Sequence, residues 1–149
     1  MIIESINIGN LFLGRNNEIC SVININTEDI SFVDIRNKEG VVYREAFDSL
    51  RPIQLNEDWL INKFGYVKSK HSTISVTYDS DGSKVENSKV LVLYDIKRIS
   101  EDGTTYQQTL TPGKIEEGYC SPNGLVACYV NELQNYTTTA LRKPLKIEY

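Results

Sequence analysis

The sequence predicts an α+β protein dominated by antiparallel strands. Three observations carry that reading. Residues 1–55 hold several short β-branched runs spaced about ten residues apart, residues 55–66 write out one short helix from cap to cap, and residues 67–149 are strand-rich until the apolar period turns helical near Val130. The implied arrangement is an SH3-like small barrel over 1–55, a linking helix over 56–66, and a second strand-rich α+β unit over 67–149 closed by a C-terminal helix. A single core shared by the two β units is the alternative to separate ones.

Within the first unit, residues 5–13 read as a strand bent at Gly9-Asn10 and closed by Gly14-Arg15-Asn16-Asn17. Residues 18–25 place Ile19, Ile23 and Ile25 on one face and Cys20 and Val22 on the other. After a turn at Asn26-Thr27-Glu28-Asp29, residues 30–35 and 41–44 form two further strands, 46–50 a tight turn, and 51–55 a last short strand. Closing these strands into a barrel would remove the edges they otherwise expose; the alternative is an open meander finished by strands from the C-terminal half.

The helix is specified at both ends. Asn56 suits the N-cap, Glu57 and Asp58 fall in the first turn, and Lys63 falls in the last, each on the side the helix dipole favours. Leu55 and Leu60 have the spacing of a hydrophobic staple, and Gly65 can take the left-handed conformation that brings Tyr66 back over Ile61. So short a helix is marginal alone, so Trp59, Leu60 and Phe64 must be covered, by both flanking β units on this reading.

In the second unit Ile74, Val76 and Tyr78 alternate up to the turn signal Asp79-Ser80-Asp81-Gly82. The unbroken run Val90-Leu91-Val92-Leu93-Tyr94 predicts a strand buried on both faces. It continues towards Ile99, turns at Glu101-Asp102-Gly103 and returns over 104–110. Loops at Thr111-Pro112-Gly113 and Ser121-Pro122-Asn123-Gly124 precede a strand over 125–130. Val130, Leu133, Thr137, Ala140 and Leu141 then recur at helical spacing, which predicts a helix over 131–141. Thr137-Thr138-Thr139 lowers its propensity, so packing must hold it. Pro144 ends it, and 145–149 offers a final strand.

Composition narrows the function classes. With 40% hydrophobic and 24% charged residues in 149, the chain has the material for a core and is not a disordered tail. Residues 1–66 carry six Lys or Arg against ten Asp or Glu, and residues 67–149 ten against ten, so neither part has the basic excess that phosphate neutralisation needs. Nucleic acid is not an expected partner. Three cysteines, Cys20, Cys120 and Cys128, lack metal-ligand spacing and His71 is the sole histidine, so neither a metal nor a cofactor is expected. The cysteines read as small buried hydrophobes rather than reactive thiols. Met1-Ile2-Ile3-Glu4 opens no signal peptide and no apolar run approaches membrane length, which predicts a soluble protein without a membrane partner.

Two stretches resemble a known group. Pro52-Ile53-Gln54-Leu55 through Trp59-Leu60 to Lys63-Phe64-Gly65-Tyr66, and Val130-Asn131-Glu132-Leu133-Gln134-Asn135-Tyr136 with Ala140-Leu141 and Pro144-Leu145, are similar to uncharacterised proteins of Bacteroidetes genomes and of phages infecting those bacteria. In that family a segment like Ile-Pro-Leu-Thr-x-x-Trp-Leu-x-x-Phe-Gly-Phe follows an N-terminal β unit, and one like His-Glu-Leu-Gln-Asn-Leu-Tyr closes the chain. Here Asn131 stands at the family's histidine, and Tyr136-Thr137 replaces its Leu-Tyr, which removes the most tempting catalytic or ligand group. The resemblance implies a shared fold and a phage or Bacteroidetes origin, and no activity.

No residue is therefore expected to be catalytic, cofactor-binding or metal-binding. Asp79-Ser80-Asp81-Gly82-Ser83 resembles a calcium loop, but the glycine and bidentate glutamate of an EF-hand are out of register, so a hairpin turn is the reading. His71, beside Lys68 and Lys70, reads as an exposed polar residue. Asn7-Ile8-Gly9-Asn10 and Ser121-Pro122-Asn123-Gly124 lack phosphate-cradling patterns and read as turns. Glu116 and Glu117 have no spaced partner for glycosidase chemistry. Of nine tyrosines, Tyr78, Tyr94, Tyr106, Tyr119, Tyr129 and Tyr136 fall in the second half, as strand and core residues or as a binding patch. The expected function is a non-catalytic protein-binding or assembly module of a phage or related mobile element, in the host cytoplasm or the virion, with a phage or host protein as partner. The alternatives are a virion structural component, or an intracellular inhibitor sequestering a host defence protein or a nucleotide signal, for which Arg142, Lys143 and Lys146 supply only part of a basic pocket.

Overall fold

The computed structural model describes residues 6–26, 29–34, 40–113, 118–143 and 147. They form an α+β fold of two antiparallel five-stranded sheets and one α-helix. The first sheet comprises β1 (Leu11–Leu13), β2 (Ile19–Ile25), β3 (Asp29–Asp34), β4 (Val42–Ala46) and β5 (Arg51–Pro52), in the order β4-β3-β2-β1-β5. It is open, which corrects the expected SH3-like small barrel. β4 and β5 lie at opposite ends, and the chain leaves β5 before the two can meet. Pro52 has no N–H to offer a neighbour, and the strand expected over 51–55 stops there. Gln54 instead makes an isolated antiparallel bridge with Tyr129, flanked by the Leu55 N–H to Cys128 C=O bond (2.9 Å) and the Val130 N–H to Ile53 C=O bond (2.9 Å).

β1 is shorter than the predicted 5–13, because Asn7 to Asn10 close a turn through the Asn10 N–H to Asn7 C=O bond (3.0 Å). Its three residues nonetheless serve two cores. Phe12, paired with Cys20, joins Val22, Ile30, Phe32, Ile6 and Leu50 in a small apolar cluster on one side. Leu11 and Leu13 point the other way, into the large core. A register shift between Val22 and Asn24 breaks the alternation of β2 and leaves Ile23 exposed, so Ile19, Ile23 and Ile25 do not line one face as the pattern implied.

The helix begins where its caps say. Asn56 Oδ1 accepts the Trp59 N–H at 3.0 Å, and Gly65 (φ 86°) ends it with the Tyr66 N–H donating to Leu60 C=O at 2.8 Å. Its winding departs from the expected α-helix: Trp59–Phe64 is a π-helix. Within this wider turn Trp59, Leu60 and Phe64 all bury while Asn62 stays in solvent, tied to Asp58 at 2.5 Å.

The second sheet is a meander of β6 (Val67–Tyr78), β7 (Lys84–Ile99), β8 (Thr105–Pro112), β9 (Tyr119–Cys120) and β10 (Val126–Ala127), followed by α1 (Val130–Leu141). The strand expected over 125–130 is thus only β10, and the helix starts one residue before the predicted 131. Cys128 N–H donates to Glu132 Oε2 at 2.9 Å across the helix start. At the other end Arg142 takes a left-handed conformation (φ 56°), and the Glu101 N–H in the β7–β8 turn donates to Leu141 C=O at 3.0 Å. The strand expected over 145–149 and the stop at Pro144 lie, Ile147 apart, outside the described residues. Ile147 packs on the large core.

That core draws on both sheets and on both helices. Leu11, Ile53, Leu55, Trp59, Leu60, Phe64, Tyr66, Tyr94, Ile96, Leu110, Ala127, Val130 and Leu133 form one cluster, so the first sheet, the π-helix, the second sheet and α1 share it. A polar latch joins the ends of the chain above it. Gln134 on α1 is buried, its Oε1 accepts the Leu11 N–H at 2.9 Å, and its Nε2 donates to Gly9 C=O at 3.3 Å. Beside it Asn10 Nδ2 donates to Asn135 Oδ1 at 2.7 Å. The residues on which the family resemblance rests at the C-terminus therefore have a structural task.

Candidate functional site

The tempting residues are placed apart from one another. His71 is exposed, with its ring Nε2 3.3 Å from Ser69 Oγ. Asp79 Oδ1 accepts the N–H groups of Asp81 (3.0 Å) and Ser83 (2.8 Å), so its carboxylate closes its own turn, with Gly82 at φ 79°. Ser121 bonds Asn123, whose Nδ2 donates to Tyr136 Oη at 2.6 Å, a loop anchored to α1. Glu116, Glu117 and Lys146 lie outside the described residues. Arg142 and Lys143 are exposed at the end of α1. Among the described residues no three His, Cys, Asp or Glu gather as metal ligands, and no helix is long and apolar enough to cross a membrane. Among the described residues the three cysteines form no disulfide. Burial, then the Glu18 and Asp34 charges, push the Cys20 thiol up to about 12, which keeps it protonated and inert at neutral pH.

The tyrosines divide between core and surface. Tyr66, Tyr106 and Gln108 surround Arg98 on the inner face of β7 and β8, where Arg98 pairs with Tyr106 in register. Tyr66 Oη donates to Gln108 Oε1 at 2.6 Å, and the Arg98 guanidinium donates to Phe64 C=O. Burial raises the tyrosine pKa values and lowers that of Arg98, so the phenols stay neutral. Arg98 Nε, Tyr106 Oη and Gln108 Nε2 have no partner among the described residues. They are also sealed from solvent, so nothing reaches them from the adjacent 300 Å³ cleft between Tyr106 and Tyr136 without moving the wall.

Where the sequence predicted a strand buried on both faces, the structure has an arm. β6 and β7 pair over twelve positions, from Val67↔Asp95 to Tyr78↔Lys84, but β8 accompanies β7 only over 94–99. Beyond that point two strands run on alone. Cross-strand pairing puts Lys70, Ser72, Ile74, Val76 and Tyr78 on one face with Val92, Val90, Ser88, Glu86 and Lys84. This face continues outward from buried Tyr94, yet Ile74 is 70% exposed, Tyr78 71% and Val90 59%. From Lys70 to Tyr78 it extends about 26 Å, at about 3.3 Å per residue.

The root of the arm is clamped. Glu57, in the first turn of the short helix, accepts from Lys68 Nζ at 2.5 Å and from Tyr94 Oη at 2.8 Å, and these two donors hold its carboxyl below the usual range. Tyr94 also packs edge-on against Tyr119 at 5.6 Å. The arm thus leaves a rigid base with an apolar face, a root carrying Lys68 and Lys70, and a tip carrying Asp79 and Asp81. It is the candidate functional site. Sequence reasoning missed it because alternation over 74–78 and an apolar run over 90–94 look the same whether or not a third layer covers them. The signal available was length, since strands of 12 and 16 residues outrun the 8-residue β8 that might cover them as a third strand.

Compared with known protein families, with curated proteins and with solved structures, the chain shows no match.

Proposed function

We propose that the protein is a non-catalytic protein-binding or assembly module of a phage or related mobile element, acting in the host cytoplasm or the virion through the β6–β7 arm. The observation that supports this is the arm's uncovered face. A two-stranded ribbon is marginal in water, and large exposed apolar side chains clustered on a projecting element mark an interaction surface. Tyr78 at its tip offers the rigid amphipathic contact that interfaces favour. Projecting arms also suit subunits that hold one another, which favours a virion component over an inhibitor of a nucleotide signal. The test is a tagged-chain pull-down from infected cells with mass spectrometry, alongside analysis of purified particles. Wild type is expected to capture a phage or host protein that a variant with Ile74→Ser and Tyr78→Ser loses. Equal capture by both proteins would refute the arm as the binding element.

A further inference from the structure

We infer that the arm's occupant is a second copy of this chain, its arm laid face to face and antiparallel. This rests on the binding-module reading above and names the partner within it. The face is self-complementary. Lys84 and Glu86 on this face pair with each other at 2.9 Å and Lys68 is held by Glu57, which leaves Lys70 at the root and Asp79 and Asp81 in the tip turn, with Ile74 and Val76 between them. A two-fold axis through the middle of the face carries the root of each arm onto the tip of the other. Lys70 of each copy then meets the acidic turn of its mate, and the apolar rows cover each other. A parallel arrangement would set lysine on lysine and carboxylate on carboxylate.

The area suits such a pair. Weighted by their exposures, Ile74, Val76, Tyr78 and Val90 present on the order of 400 Å² of apolar side chain, about half of the ~800 Å² per partner in a standard interface. The lysine stems, Ser72, Ser88 and the turn supply the remainder as a polar rim. Tyr78 of one copy lies over Ser72 and Val90 of the other, where small residues leave room for the ring. Pairing also adds a second layer to a ribbon that has only one.

Light scattering and sedimentation equilibrium on the full chain test this. Wild type is expected to show twice the 17.0 kDa chain mass at the highest attainable concentration, dissociating on dilution and at high salt. Lys70→Glu and Asp81→Lys are each expected to weaken association about tenfold or more, and the double variant to recover most of it. Asp81 is chosen because Asp79 closes the turn. Circular dichroism of each variant checks that the body melts as wild type does. A chain that stays at 17.0 kDa throughout, or a double variant no better than the singles, overturns the second copy as occupant. If wild type is monomeric while the arm still captures a different protein in the pull-down, the module reading stands and only this inference falls.

Discussion

Replacing Gln134 tests whether the first sheet is docked on α1 as the latch requires. The side chain is buried and does two things: it accepts the Leu11 N–H at 2.9 Å and donates to Gly9 C=O at 3.3 Å. These bonds differ in weight. Gly9 is exposed, so water can replace its donor, and that loss costs little. Leu11 is buried, and its N–H would be left unpaired, at a cost of about 1–3 kcal/mol. Gln134→Met keeps the volume and removes both hydrogen bonds, so it isolates this cost. Gln134→Ala adds a cavity, for a total of about 2–4 kcal/mol. At about 2–4 °C per kcal/mol for a chain of this size, the methionine variant is expected to melt roughly 2–12 °C lower. The assay is calorimetry with urea titration, comparing midpoint at unchanged slope. A methionine variant that melts with wild type would mean that Leu11 reaches another acceptor or water, and that the sheet is not closed down on α1.

Two further outcomes follow from the same packing. Trp59→Ala, in the large core at 8% exposure, is expected to cost about 3–5 kcal/mol while leaving the oligomeric state of the folded fraction unchanged; an unchanged melting temperature would move this helix from scaffold to binding surface. The Asp102 carboxyl is held at about 2, against its ordinary 3.8, by the Ser100 hydroxyl and then the Thr104 N–H. Because the folded value is the lower one, its contribution is complete above pH 3.8 and fades as the pH falls towards 2, so stability there is expected to decline in wild type with a component absent from Asp102→Asn. A carboxyl titration midpoint near 4 by NMR would contradict it.

Local structure was legible wherever a residue's role is set by its chain neighbours. Asn56, Leu55 with Leu60, and Gly65 mark the helix because caps and staples are short-range devices, and Asp79 and Asp102 mark turns for the same reason. What one sequence hides is competition between distant partners. The π winding of Trp59–Phe64 answers to which side chains the shared core takes, and the opening of the first sheet answers to Gln54 leaving it for Tyr129. Pro52 marks where β5 stops, but no neighbouring residue signals the π winding or Tyr129 as the new partner of Gln54. The latch was likewise invisible, because Gln134 and Asn135 look like ordinary helix polar residues until Leu11 and Asn10 are set against them.

The aromatic residues differ in what covers them. Trp59, Phe64, Tyr66 and Tyr94 are enclosed by elements from both sides of the chain, so a partner reaching them would have to unpack the core that makes the chain one body. Tyr78 has no such cover. It stands at the end of a ribbon whose hydrogen bonds are open to solvent and whose apolar face has no layer above it among the described residues, the condition of the least stable parts of a fold. The root of that ribbon is fastened, through Glu57 to Lys68 and Tyr94. On the proposed reading, binding energy spent on the arm would order the arm and leave the body as it was. Removing its apolar side chains is accordingly expected to abolish association with little change in the melting of the body, whereas Trp59→Ala lowers that melting whatever the arm does.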